Sequence, residues 1–181
     1  MTFKTIGIII AKRDGRDADR VYTIYTKEHG KISALAKSVK KITSKLAGHL
    51  ELFTYATFTI ARGRGRDHIA TVDAIAHFVP SFDKSDRLIA ALYCLECTDQ
   101  MVRDAHRDDE LFDLLYGFIQ EVAGGDIPST QLARTYLYNL CVLLGYGVPQ
   151  EQFSLHDHLF PRLNSMPKSQ VYFEHLTSGS K

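Results

Sequence analysis

The spacing of hydrophobic residues changes near Pro80, and this change limits the chain to a β-rich part followed by a helical part. Before Pro80, apolar residues recur at every second position, as they do in a strand that buries one face. After Pro80 they recur at every third or fourth position, as they do along one side of a helix. We therefore predict two domains, at residues 1–80 and 81–181.

Five short runs in the first part alternate in this way and are separated by turn residues. A segment between the third and fourth runs, residues 43–50, breaks the alternation and is typical of one or two helical turns. Five strands with a small helix in this place have the order of an OB-fold, a Greek-key barrel that binds mainly oligonucleotides and oligosaccharides. The strand-like runs are residues 3–13, 20–30, 31–39, 51–62 and 68–79.

Three runs in the second part have helical spacing and are joined by short loops, which favours a small antiparallel bundle. Glycines follow the second and third runs, where helices commonly end. The predicted fold class is therefore α+β, with an N-terminal five-stranded OB-fold β-barrel followed by a C-terminal α-helical bundle. The helical runs are residues 85–102, 108–125 and 128–147.

Charge divides the chain at the same place as the hydrophobic spacing. Residues 1–80 contain 14 lysines and arginines against 7 aspartates and glutamates, whereas residues 81–181 contain 8 against 14. A basic part joined to an acidic part indicates a nucleic-acid-binding barrel attached to something else. The N-terminal apolar stretch is too short for a signal peptide or a membrane span, so we expect a cytoplasmic protein that makes no membrane contact.

Two clusters of cations are the predicted DNA-binding residues. The first is a lysine run without a carboxylate until Glu51, and the second is the "ARGRGRD" segment at the turn between the fourth and fifth strands. Arginines at every second position of an extended backbone would share one side, and the intervening glycines would let backbone N–H groups approach phosphate. The predicted residues are Lys31, Lys37, Lys40, Lys41, Lys45, Arg62, Arg64 and Arg66.

The sequence contains no motif that requires a cofactor, a metal or a catalytic nucleophile. Cys94 and Cys97 form a C-x-x-C pair without the second pair that structural zinc needs, and their place on a helix favours core packing. The triplet of Asp108, Asp109 and Glu110 precedes a helix and favours capping. We therefore predict no catalytic residue, no cofactor, no metal and no enzymatic activity.

The succession of six segments resembles the bacterial DNA repair protein RecO family over residues 3–149. This resemblance implies a recombination mediator that binds single- and double-stranded DNA, anneals complementary strands, and works with RecR and single-stranded DNA-binding protein (SSB) to load RecA on nucleoid DNA. The segments are "EHGKISALAKSVKK", "SKLAGHLELF", "IARGRGRD", "RLIAALYCLECTDQMV", "ELFDLLYGFIQEV" and "YLYNLCVLLGYGVP".

One departure from that resemblance concerns zinc. Many members of the family carry a four-cysteine zinc module after the segment that corresponds to "LLGY", whereas no cysteine follows Cys141 here. The expected fold therefore lacks that module, and the expectation of a contact with RecR is weakened.

The resemblance also suggests that the helical part receives the tail of SSB, which is acidic with an apolar end. An acidic tail needs a basic residue beside an apolar surface, and the helical part offers four arginines: Arg87, Arg103, Arg107 and Arg134. Apolar residues off the leucine stripes could instead pack against the barrel.

Two other functions fit the residues. An RNA-binding or ribosome-associated OB-fold protein would show the same division of charge. A metal-dependent nuclease that uses Asp108, Asp109 and Glu110 is the other alternative.

Overall fold

The structure, a computed structural model, describes residues 1–41, 47–78, 85–147 and 149–178. These residues form two compact units. The first contains residues 1–41, 47–78 and 103–112, and the second contains residues 85–102, 113–147 and 149–178. The division of the chain at residue 80 into two functional domains stays a prediction.

Five strands in the first unit close into a barrel in the order β1-β2-β3-β5-β4, with β4 returning to β1. All neighbouring pairs are antiparallel except β3 and β5, which are parallel. This arrangement confirms the predicted OB-fold barrel. The strands are β1 (Thr2–Asp14), β2 (Arg20–Thr26), β3 (Gly30–Ala36), β4 (Thr54–Ala61) and β5 (Asp67–His77).

The barrel interior is filled by alternating side chains of all five strands. β3 contributes the small residues Ala34 and Ala36, and β2 and β4 contribute larger ones, so the narrow interior is closely packed. The predicted helix at residues 43–50 lies partly outside the described residues, and Ala47–His49 form a short 3₁₀ turn. The buried cluster consists of Ile9, Tyr22, Ile24, Ala34, Ala36, Val39, Leu50, Ala56, Phe58, Ile60, Ile69 and Val72.

Helices follow the barrel, as predicted. They are α1 (Ser85–Met101), α2 (Asp109–Gly124), α3 (Ser129–Leu143) and α4 (Gln170–Ser178). After α3 the chain turns at Gly145, whose φ of +80° lies in the left-handed region that glycine adopts without strain. None of the helices in the described part of the chain has the length and apolar character needed to cross a bilayer.

The weak periodicity after residue 148 gave no prediction of α4, yet this helix belongs to the packed second unit. The Phe173 ring stacks on Tyr93 of α1 with a centroid distance of 4.4 Å and an interplanar angle of 7°. Both side chains are almost completely buried. A helix of nine residues is too short to be stable on its own, so this stacking holds it in place.

Candidate nucleic-acid interface

Part of the barrel wall that OB-folds use for oligonucleotides is covered in this protein. That wall is usually the outer face of β2 and β3 with the loops joining β1 to β2 and β4 to β5. Here the Tyr25 hydroxyl donates to the backbone carbonyl of Asp108 at 3.3 Å, and the Tyr25 ring stacks on Phe112 at 6.4 Å. Residues 103–112 of the same unit therefore lie over this end of β2.

Lys31 is engaged by the same segment. Its ammonium nitrogen Nζ lies 3.3 Å from Oδ1 of Asp104, and only 10% of its side chain is exposed. The backbone N–H of Ala105 donates to the Lys31 carbonyl at 2.9 Å, which adds a bridge beside β3. Lys31, one of the predicted DNA-binding residues, is therefore used to hold the segment, and we leave it out of the proposed set.

The turn after β3 presents Lys37, Lys40 and Lys41, all exposed. This turn is fixed against the β1–β2 loop, because the N–H of Ser38 donates to Oδ1 of Asp19 at 2.7 Å and the N–H of Lys40 donates to the carbonyl of Ala18 at 3.0 Å. Lys45, the last predicted lysine, lies outside the described residues.

Two further exposed arginines, which were not among the predicted DNA-binding residues, belong to the segment that is fixed to this turn. Arg13 lies at the end of β1 and Arg16 in the loop that follows. Their position in the loop between the first two strands of an OB-fold could have identified them. We call the five residues Arg13, Arg16, Lys37, Lys40 and Lys41 the β3-turn cluster.

Carboxylates neutralise part of the β3-turn cluster. Oδ1 of Asp14 lies 3.7 Å from Nζ of Lys40 and accepts a hydrogen bond from Nε of Arg20 at 3.1 Å. This hydrogen bond and the Lys40 charge hold the pKa of Asp14 below its ordinary value, so the group remains a carboxylate near neutral pH. Within the described residues no ion pair involves Lys37, Lys41 or either arginine of the cluster.

The β4–β5 loop, residues 62–66, carries the other predicted cations. Arg62, Arg64 and Arg66 are all exposed, and in the described part of the chain none of them has a salt-bridge partner. Residues 64–66 form a bend. The extended-backbone argument that placed all three guanidinium groups on one side is therefore wrong.

Glycines allow the β4–β5 loop to turn tightly. The N–H of Gly63 donates to Oδ1 of Asp67 at 3.3 Å, and a Cβ added at Gly63 would lie 2.2 Å from the carbonyl oxygen of Arg66. The loop and Ser33 of β3 line an open depression of about 440 Å³. Backbone and guanidinium donors can both reach a phosphate placed there.

The two clusters lie at different positions along β3. Ala34 pairs with Asp67, so the loop that precedes Asp67 lies beside the first half of β3, whereas the β3 turn follows its last residue. From Ser33 to Lys37 an extended strand covers about 13 Å. A strand of DNA would have to run along this edge of the barrel to meet both clusters.

Most tyrosines and phenylalanines of β2 and of residues 53–61 lie in the core and cannot stack on bases. Tyr22, Tyr25, Phe53 and Phe58 are each no more than 2% exposed. Tyr55 is half-buried. These side chains offer little free aromatic surface, so cations dominate the exposed face of the barrel.

The four arginines predicted to dock a protein partner have different surroundings. Arg103 and Arg107 belong to the unit that contains the barrel, and Arg107 makes a two-pronged ion pair with Asp109 at 3.0 and 2.9 Å. Arg134 is exposed on α3 and donates to the carbonyl of Phe153 at 2.9 Å. Arg87 is buried inside the second unit and donates to the carbonyls of Glu121 and Ile127 at 2.7 and 2.6 Å.

Replacing Arg87 with Met should lower the free energy of unfolding by about 3 kcal/mol, because two partly buried carbonyls lose the buried guanidinium as a charged donor. These carbonyls belong to the last turn of α2 and the loop after it, and the Glu121 carbonyl also accepts the N–H of Gly125 at 2.9 Å. Urea denaturation followed by circular dichroism measures the change. Arg103→Met is the matched control, since Arg103 is exposed, and should change the value by less than about 0.5 kcal/mol. Equal effects of the two changes would contradict a structural role for Arg87.

The acidic triplet has structural roles in the described structure. The Asp108 carboxylate accepts the N–H of Leu111 at 2.9 Å and so caps α2, and Asp109 is paired with Arg107. Among the described residues no group of three or more His, Cys, Asp or Glu side chains could hold a metal ion. Cys94, Cys97 and Cys141 are buried thiols, and burial raises the pKa of each.

The fold is that of an OB-fold protein in which a barrel with exposed arginines and lysines precedes a helical region. Comparison with known families identifies it further. The profile "Recombination protein O N terminal" matches residues 1–78, and "Recombination protein O C terminal" matches residues 83–152. The chain belongs to the RecO family.

Curated relatives agree with this assignment. A protein named DNA repair protein RecO from Pelotomaculum thermopropionicum is 31% identical over 144 residues, which are 80% of this chain and 56% of the relative. The protein of the same name from Dehalococcoides mccartyi is 34% identical over 144 residues, 80% of this chain and 56% of the relative. The one from Gloeobacter violaceus is 26% identical over 159 residues, 87% of this chain and 60% of the relative. The chain thus spans somewhat more than half the length of these relatives.

Proposed function

We propose that this protein binds single- and double-stranded DNA without enzymatic chemistry and acts in recombinational DNA repair. Membership of the RecO family supports the biological setting. The observation that carries the proposal is the β4–β5 loop, in which three exposed arginines flank two glycines and have no carboxylate partner among the described residues. Cations held free of carboxylates on a rigid barrel attract phosphate.

Binding of this kind is electrostatic and nearly independent of sequence. Phosphate contacts fix the position of a nucleic acid but do not read bases, and the aromatic residues of the barrel are largely buried. The β3-turn cluster and the β4–β5 loop would bind the backbone at two points. Two strands held by such a surface lose part of their mutual repulsion, which favours annealing of complementary strands.

The proposed partners follow from the family. We propose that the protein acts on DNA coated with SSB in the cytoplasm, in contact with the nucleoid, and assists RecA loading together with RecR. In this proposal residues 1–80 bind DNA and residues 81–181 bind protein partners. Of the four docking arginines, Arg134 is the one that lies exposed on a helix of the second unit, which makes it the residue to test for an SSB tail.

A DNA-binding and annealing assay tests this function. Fluorescence anisotropy of labelled single strands and duplexes should give affinities that fall with salt, with a slope of log affinity against log salt near −0.7 per phosphate contacted on single strands. Annealing of complementary strands should be faster with the protein, both on naked DNA and on DNA coated with SSB.

Three results would redirect the proposal. Binding that does not depend on salt would contradict an electrostatic surface. A clear preference for RNA would favour the RNA-binding alternative. Degradation of DNA on addition of Mg²⁺ or Mn²⁺ would favour the nuclease.

A further inference from the structure

Arg62 differs from the other arginines of the β4–β5 loop because an aromatic ring lies beneath it. Its guanidinium carbon Cζ lies 5.4 Å from the centroid of the Phe3 ring. The backbone N–H of Arg62 donates to the carbonyl of Met1 at 3.0 Å, which fixes the start of the loop against β1. Arg62 is therefore held as a flat cation at the edge of the barrel, while Arg64 and Arg66 lie in the bend that follows.

Phe3 is itself supported from two sides. Its half-buried ring packs on the hydrophobic core of the barrel, and the His29 ring meets it edge to face with a centroid distance of 4.5 Å and an interplanar angle of 67°. Arg62, Phe3 and His29 thus form one stack at the end of the barrel where the β2–β3 turn and the β4–β5 loop lie.

We propose that Arg62, supported by Phe3 and His29, stacks on an unpaired nucleobase of single-stranded DNA, while Arg64 and Arg66 neutralise the adjacent phosphates. The inference rests on the proposed DNA-binding function and adds a contact that single-stranded DNA makes. A guanidinium plane stacks well on a base, and a ring beneath it reduces the entropy lost on binding. Bases of a duplex are covered on both faces, so they cannot make this contact.

The surroundings of Arg62 fit a nucleotide. The open depression lined by Ser33 and residues 63–67 begins one residue after Arg62. A Cβ added at Gly65 would meet open space, so a sugar-phosphate backbone can come close to this part of the loop. A base on Arg62 and its phosphate in the depression would be neighbours along one strand.

Arg62→Lys is the decisive variant because it keeps the charge and removes the flat guanidinium. We expect its affinity for single strands to fall about fivefold or more, while its affinity for duplex changes less than twofold and its salt slope is unchanged. Arg103→Lys is the matched control, since it makes the same chemical change at an exposed arginine outside both clusters, and should leave both affinities within twofold. Phe3→Leu keeps an apolar contact with the core and removes the ring, so it should reproduce the single-strand loss while thermal melting shows that the barrel is folded.

A single strand with abasic sites provides an independent probe. The wild-type protein should bind it about fivefold or more weakly than the intact strand, whereas Arg62→Lys should bind both equally. Equal loss for single strand and duplex, or equal effects of Arg62→Lys and Arg103→Lys, would overturn the stacking role and leave electrostatic DNA binding in place. A wild-type protein without affinity for any DNA would overturn the proposed function itself.

Discussion

Replacing Arg64 and Arg66 with Ala should weaken binding to single-stranded DNA by about tenfold and make the salt slope shallower by about 1.4, because two phosphate contacts are lost. Both side chains are exposed, and neither has an ion pair within the described residues, so their removal should leave the free energy of unfolding nearly unchanged. Fluorescence anisotropy over a range of salt concentrations gives the affinity and the slope together.

The control variant for Arg64 and Arg66 must remove the same amount of charge from another part of the protein. Arg103 and Lys168 are exposed cations outside both clusters, and changing both to Ala lowers the net charge by the same amount. If attraction depended on net charge alone, the two double variants would bind DNA equally. We expect the control to stay within about twofold of the wild type, because neither residue belongs to a cluster that is proposed to contact phosphate.

The second cluster can be tested in the same way. Lys37→Ala with Lys41→Ala should make the slope shallower by a similar amount, since neither lysine is paired among the described residues. The clusters are more than about 10 Å apart along β3, so their effects should add in the combined variant. A double change at the β3 turn without effect on DNA binding would confine the interface to the β4–β5 loop.

The order of strands and helices could be predicted because each depends on short-range periodicity. Alternation in the first part predicted all five strands, and helical spacing predicted α1, α2 and α3. The helix α4 was not predicted, since its place is fixed by contacts with residues far away in sequence: Phe173 stacks on Tyr93, and the N–H and hydroxyl of Ser169 donate to Glu96. Periodicity carries no information about such contacts.

Whether a given lysine or arginine is accessible to DNA was harder to predict than its presence in the chain. Lys31 and Arg87 look like other basic residues in the sequence. The side chains of both are nevertheless buried, and each contacts oxygen atoms of a distant segment. Asp104 is 73 residues after Lys31, and the carbonyl of Glu121 is 34 residues after Arg87. A buried cation must be paired with acceptors, and their location depends on the tertiary fold.

Loop conformation limited the prediction of the site in another way. The spacing of Arg62, Arg64 and Arg66 is two residues, but a shared side follows from that spacing only in an extended strand. Gly63 and Gly65 favour a bend as much as a close approach to phosphate, and the bend is what the chain adopts. The sequence therefore located the loop correctly without showing that Arg62 has a separate position over Phe3.

The second large effect is expected at Gly30, where β3 begins. Gly30 has φ of +64°, and a Cβ added there would lie 2.1 Å from the carbonyl oxygen of His106 and 2.4 Å from its carbonyl carbon. Both atoms are backbone, so they cannot turn aside as a flexible side chain could. Gly30→Ala should therefore lower the free energy of unfolding by about 2–4 kcal/mol, from the strained backbone and the overpacked contact together.

The change at Gly30 should also loosen residues 103–112, because relief of the clash requires this segment to move away from β3. That movement would break the hydrogen bond from Ala105 to the Lys31 carbonyl and separate Lys31 from Asp104. Hydrogen exchange at the Ala105 amide should become faster, and urea denaturation should show the lost stability. Gly117→Ala is the control: its Cβ would meet open space within α2, and it should gain up to about 1 kcal/mol from helix propensity. Wild-type stability and unchanged exchange in Gly30→Ala would show that residues 103–112 do not lie against β3, and Lys31 would then return to the set of cations available to DNA.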